Sequence, residues 1–295
     1  MSQPAVPPSA ASMPVTPFPN TGFAAAHPKT LLPSPASIRA RNIATKHPDA
    51  TNPNRPPPVK ISELGLIVKY GLFVTRAEAD AQRFAYQQLQ GRVPVPEVIG
   101  WAEDAGQGFL YMNLINAPTL SARWRSLTEA ERTALCGELR EMVQAWRQLK
   151  QNPDDTYVGA VGKRPLNDII IRDKNNLRGP WQGPEPVKAF HHACDIEISG
   201  RTPIIFTHSD LVPCNILVTR GPNPRVAAII DWAQAGWYPS YWEWCKAKWV
   251  DMASDLGMDD AAQRQWRERY LSGILDPLPD SSVYYPWLRF ALANI

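Results

Sequence analysis

Phe206-Thr-His208-Ser-Asp210-Leu-Val-Pro-Cys-Asn215-Ile-Leu-Val218, followed by Ala228-Ile-Ile-Asp231-Trp232, is the stretch on which the fold turns. Between its halves lies Gly221-Pro-Asn-Pro224, a strong turn sequence flanked by short apolar runs. The segment predicts a β-hairpin with strands over 215–219 and 225–230, fed by another strand over 203–207. A hairpin centred near residue 223 pairs positions whose numbers sum to about 446, and Asn215 and Asp231 meet that condition. They are expected to face each other at the open end, about 5 Å apart. Asp210 lies upstream of Asn215, in the loop feeding the same end.

Two carboxylates and an amide oxygen then converge. Mg²⁺ takes one or two carboxylates and completes its shell with water and phosphate oxygens. The remaining carboxylate can orient or deprotonate a hydroxyl. Phosphoryl transfer needs mainly positioning and charge neutralisation, and this set supplies both. Singly, each residue has a bland explanation: a turn cap for Asp210, a turn residue for Asn215, a strand-end Asx turn for Asp231. Jointly, H-x-D-x-x-x-x-N, a hairpin and a strand-terminal Asp favour a phosphotransfer site.

Upstream, 66–70 (Leu-Ile-Val-Lys-Tyr) reads as a strand carrying Lys69 and closed by Gly71. Residues 76–90 read as a helix, with Ala77, Ala81, Phe84, Ala85 and Leu89 at helical spacing. A Lys inside a buried strand needs an anionic partner. Glu78, on the face of Ala81 and Ala85, is the candidate; the alternative is a solvated Lys69 on an edge strand. An extended segment starts at Pro94, and 109–115 is a second apolar strand. Ser126-Leu-Thr-Glu129 has capping-box form before a long amphipathic helix. Residues 151–202 read as irregular, and from Trp242 the chain reads as mostly helical.

Composition divides the chain. Of its 30 prolines, 14 fall in residues 1–58, which carry five Lys/Arg and one Asp. That net +4 exceeds the +3 of the whole, so the remainder is −1 and gives no basic face for nucleic acid. Residues 1–58 are expected to be a disordered arm. No apolar run approaches the ~18–20 residues of a membrane span. Cys136, Cys194, Cys214 and Cys245 form no C-x-x-C pair, which suggests reduced thiols and a cytoplasmic protein.

The motifs H-x-D-L-x-x-x-N-I-L-V and I-I-D-W-x-x-A-G-W-Y-P-x-Y-W-E resemble the aminoglycoside-phosphotransferase-like enzymes, which have the protein-kinase-like fold. The run G-W-Y-P-x-Y-W-E-x-x-K-A is similar to the large fungal branch of that family. The resemblance covers about residues 62–255. It implies an α+β, bilobal fold, with a small β-rich N-lobe over 59–115 and a larger, mainly helical C-lobe over 116–295. It implies ATP and Mg²⁺ as cofactors and a small-molecule hydroxyl as acceptor. Asp210 is implied to be the catalytic base, with His208 bracing its loop. Asn215 and Asp231 are implied to hold Mg²⁺. Lys69 is implied to contact ATP phosphates, and residues 112–115, Met112 and Leu114 among them, to meet the adenine. Glu243 matches the family's structural acid.

Asp231-Trp-Ala replaces D-F-G, His208-Ser-Asp210 lacks the Arg of H-R-D, and no A-P-E follows. A small-molecule kinase is favoured over a protein kinase. No G-x-G-x-x-G precedes Lys69, which keeps a second class in view: a catalytically degenerate kinase-like binding or scaffold protein. Trp237, Tyr238, Tyr241, Trp242, Trp244 and Trp249, with Asp251, Asp255, Asp259 and Asp260, could receive a cationic substrate, or could be core and solvated face.

Overall fold

The structure, a computed structural model, describes residues 14–253 and 256–294. It divides into two compact units: one takes the chain up to Arg76 together with Glu97–Leu114, the other takes Ala77–Pro96 and the chain from Ile115 onward. The second segment of the first unit ends at Leu114, where the expected lobe ran from 59 to 115, and 77–96 groups with the second unit.

In the first unit, α1 (Gly22–Ala26) and α2 (Pro35–Ala44) precede β1 (Val59–Ile61) and β2 (Leu66–Gly71). Beyond α3 (Arg76–Gln88) come β3 (Val98–Asp104) and β4 (Gln107–Asn113). The antiparallel sheet has the order β1-β2-β4-β3. Side chains alternate across a strand, so Leu66, Val68 and Tyr70 share one face and Ile67 and Lys69 the other. The first face packs with Phe109 and Tyr111 of β4, and Tyr70 stacks on its pairing partner Phe109.

Phe23, Leu32 and Ile38 complete that core. The disordered arm expected over 1–58 is therefore corrected for its described part, 14–58; residues 1–13 lie outside the described residues. Average composition hid three apolar anchors. It also hid a helix start, with Ser34 capping α2 and Pro35 in its first turn, where proline is tolerated. The segment is tied by polar contacts too. Gly22 N–H donates to Glu97, Asn42 Nδ2 to Tyr70 and Pro57 O, and Arg39 pairs with Asp104. Gly71, at φ 141°, lies so close to this segment that a Cβ there would meet Asn54 O at 2.3 Å.

The second unit holds α3, α4 (Leu120–Arg123), α5 (Glu129–Arg147), β5 (Gly159–Ala160) and α6 (Pro186–Ala193). After these come β6 (Ile204–Thr207), β7 (Ile216–Val218), β8 (Val226–Ile229), β9 (Gly236–Pro239), α7 (Trp242–Trp249), α8 (Asp260–Gln265) and α9 (Ser281–Ala293). Strands order as β5-β9-β6, and β7 pairs β8 as a hairpin. The capping box lies two residues later than expected: Thr128 caps α5 and Glu131 returns the bond. Leu127 is extended, so Ser126 ends a preceding turn and starts no helix. The stretch read as irregular, 151–202, contains α6, which buries Phe190 and His191. All four cysteines are free, and burial pushes the Cys136 and Cys194 thiols up to about 12. Among the described residues, no helix is long and apolar enough to cross a membrane.

Candidate active site

The 208–215 loop follows β6 and ends in a 3₁₀ turn, Pro213–Asn215, that opens β7. Its backbone is held from below. His208 N–H and Ser209 N–H donate to Glu243 Oε1 at 2.9 and 3.0 Å, and Trp146 Nε1 donates to Glu243 Oε2 at 3.2 Å. Glu243 lies on α7 and is buried, so these three donors satisfy a carboxylate that would otherwise be costly there.

His208 ties the two halves of the quoted sequence together. Asp210 N–H donates to its Nδ1 at 3.2 Å, which fixes the second nitrogen as the donor: Nε2 lies 3.0 Å from Ile230 O. Burial lowers the His208 pKa, in keeping with a neutral ring. Trp232 packs edge-on against that ring at 4.6 Å.

Asp210 and Asn215 touch. Asn215 Nδ2 donates to Asp210 Oδ2 at 3.0 Å and to Asp210 O at 2.9 Å, leaving the amide oxygen as an acceptor. The hairpin is offset by one residue from the expected register. Ile216 pairs Ile229, and Ile230 N–H donates to Asn215 O at 2.9 Å, so Asn215 faces Ile230 and Asp231 lies one step beyond. Asp231 then turns sharply, at φ 63° and ψ 62°, in the left-handed region.

Burial raises the Asp210 carboxyl to about 6. The charges of Asp231 and Asp168 push the same way, against Lys246 and the Asn215 hydrogen bond. A carboxylate so raised accepts a proton more readily at neutral pH, as a base for a hydroxyl requires. His208, Asp210, Asn215 and Asp231 are thus brought together within the second unit.

The other candidates are distributed. Lys69, Met112 and Leu114 belong to the first unit and Glu78 to the second. Lys69 is half-buried and pairs across the sheet with Leu110; Met112 pairs with Ile67 and is buried. Leu114 N–H donates to Gly65 O at 2.8 Å. Glu78 is buried in the first turn of α3, among Ala79, Ala81 and Ala85, as its helical position indicated.

Of the two readings of the aromatic and acidic cluster, the burial matches core and solvated face. Trp237, Tyr238, Tyr241, Trp242 and Trp244 are buried in the core, and Trp249 is half-buried against it. Asp251 pairs with Arg267, and Asp259 pairs with Arg125 and caps α8. Asp255 lies outside the described residues.

A second buried layer escaped the sequence. Lys246 and Asp168 form an ion pair at 2.7 Å with side chains only 2% and 0% exposed. Lys246 also donates to Gln234, just after Asp231. Asp168 sat in the stretch without periodicity, so nothing marked it. Lys246 did carry a signal: a cation inside Trp-Cys-Lys-Ala must either face water or find a partner.

The model of the phosphotransferase enzyme family matches residues 66–281. Among solved structures, a thermostable aminoglycoside phosphotransferase APH(4)-Ia in complex with ADP and hygromycin B is 16% identical, covers 78% of this chain and 76% of its own, and has a TM-score of 0.47. An aminoglycoside-3'-phosphotransferase of type VIII is 17% identical, with coverages of 77% and 84% and a TM-score of 0.44. The gentamicin-APH(2")-IIa complex is 12% identical, with coverages of 76% and 75% and a TM-score of 0.46. No curated protein matches the sequence.

Proposed function

The chain belongs to the phosphotransferase enzyme family, and from that membership and the geometry of the 208–231 segment we propose that it transfers the γ-phosphate of ATP to a hydroxyl of a small molecule. The observation that carries this reading is the contact set of Asp210, Asn215 and His208, with Asp231 at the same hairpin end.

Asp210 orients the acceptor hydroxyl and takes its proton as the O–P bond forms and the bond to the leaving ADP breaks. The raised pKa suits that step. The donor chemistry fits a hard cation: the Asn215 amide oxygen and the Asp231 carboxylate would hold Mg²⁺. Phosphate and water oxygens would complete the shell. When bound, Mg²⁺ neutralises phosphate charge. Lys69 would hold the phosphates, and Met112 and Leu114 would flank the adenine. His208 fixes the loop through the Asp210 N–H and Ile230 O. We place the protein in the cytoplasm and in the fungal branch of the family, the latter on the resemblance of the 236–247 motif.

A second reading, a kinase-like binding or scaffold protein, is favoured by one observation. Residues 14–58 form α1 and α2 where a phosphate-covering glycine hairpin would precede Lys69. Thermal unfolding with ATP, in Mg²⁺ and in EDTA, separates the two. A ligand bound only by the native state adds about 2.7 kcal/mol at a hundredfold excess over Kd. The enzyme reading expects a Mg²⁺-dependent rise in Tm that Asp231→Ala abolishes. No rise at millimolar ATP favours the scaffold.

A further inference from the structure

Ser209 stands in the left-handed region, at φ 63°, immediately before Asp210. Side-chain-bearing residues avoid this conformation unless their surroundings impose it. Glu243 grips only the backbone here, through the N–H groups of His208 and Ser209. The Ser209 side chain is held by a different residue. Its hydroxyl donates to Asp168 Oδ2 at 2.7 Å, and Trp242 Nε1 reaches both atoms, at 3.0 Å to Asp168 Oδ2 and 3.1 Å to Ser209 Oγ.

Asp168 is itself immobilised. Its Oδ1 accepts Ile170 N–H at 3.0 Å, and its Oδ2 also meets Lys246 Nζ at 2.7 Å. One fully buried carboxylate oxygen thus gathers three donors, from the 208–215 loop and from two turns of α7. Burying that charge is costly unless its lone pairs are used, and here they are taken by Ile170 N–H, Ser209, Trp242 and Lys246.

We infer that Asp168 is a positioning residue: fixed by Lys246, it holds the Ser209 hydroxyl and with it the left-handed turn that aims Asp210. The inference rests on reading Asp210 as the group that meets the acceptor. Without the Ser209 tether the turn relaxes toward ordinary backbone, and the Asp210 N–H moves off His208 Nδ1. Asp168 never touches substrate; it acts through Ser209.

The test uses the full chain carrying Ser209→Ala or Asp168→Asn, with two readouts. The first is amide hydrogen exchange, followed by mass spectrometry on the 206–215 peptide. The second is hydrolysis of MgATP, with water as acceptor, resolved into kcat and KM. For Ser209→Ala the tether predicts exchange at least about fivefold faster in that peptide and unchanged over 129–147. It also predicts kcat about tenfold lower at an unchanged KM, because a small misplacement of a positioned group is felt in the chemical step. Asp168→Asn shifts both readouts the same way; if it does not fold, Ser209→Ala decides alone. Unchanged exchange in 206–215, or an equal rise everywhere, overturns the inference. An inactive wild type strikes at the phosphotransferase reading, and the exchange result still decides on the tether.

Discussion

Two segments of this chain look unstructured by composition and differ in the polar contacts that accompany their apolar burial. Residues 14–58 are fastened to the first unit's sheet chiefly by apolar burial, with Phe23, Leu32 and Ile38 set into the face of Val68, Tyr70 and Phe109. The ion pair that accompanies them, Arg39 with Asp104, is partly exposed, at 26% and 32%. Residues 166–171 also bury Leu166, Ile170 and Ile171, but what ties them to the 208–215 loop is a charge. Asp168 is fully buried and answers Lys246, Ser209 and Trp242 at once. Apolar anchoring degrades gradually as side chains shrink. A buried ion pair fails abruptly, because removing one partner strands the other.

That contrast fixes an order of effects. Asp168→Ala leaves the Lys246 ammonium buried with only Gln234 beside it and is expected to cost about 3–5 kcal/mol in urea unfolding. A loss below ~1 kcal/mol would mean that water reaches Lys246 and that the two regions do not differ in kind. Ile38→Ala is next, at about 2–4 kcal/mol for a fully buried side chain. Its more telling readout is limited trypsin digestion. Wild type should resist cutting at Arg39 and Arg41 within α2, and Ile38→Ala should be cut there first. Rapid cutting of the wild type at these sites would restore the disordered arm. Arg39→Met keeps an unbranched apolar side chain but removes the guanidinium that lies over Phe109 and pairs with Asp104, and should cost about 1 kcal/mol.

How far the sequence speaks follows the same division. The 208–231 segment was legible because turn chemistry, strand alternation and motif spacing agree there. The one error, a register offset of a single residue, comes from the turn, which closes around residue 222 with Thr219 N–H donating to Arg225 O; the bulge between Leu217 and Val218 brings the open end back toward the expected pairing. Glu78 and Lys69 were legible as charges inside apolar periodicity. Residues 14–58 were misread because fourteen prolines in 1–58 dominate a composition whose anchoring depends on three side chains. Asp168 was invisible for a different reason. Its partners, Ser209, Trp242 and Lys246, lie far along the chain, and only the folded topology brings them to one oxygen.

The smallest expected effect tests whether the 151–202 stretch is a true part of the core. His191 lies on α6, is 9% exposed, and has Nε2 2.9 Å from the Tyr241 hydroxyl. Burial lowers its pKa, so the folded protein resists the proton that the unfolded chain accepts near pH 6.5. Stability from this source is complete above about pH 6.5. It is lost as pH falls from there toward the lowered folded value, because the unfolded state then binds more protons. His208 is buried with the same sign, so the wild-type slope contains both residues. His191→Gln removes one share of it. Between pH 7 and pH 6 the wild type should lose under ~1 kcal/mol more than the variant in urea titrations. Identical slopes would mean that the α6 histidine is open to water, and that the segment around Asp168 is looser than the buried ion pair requires.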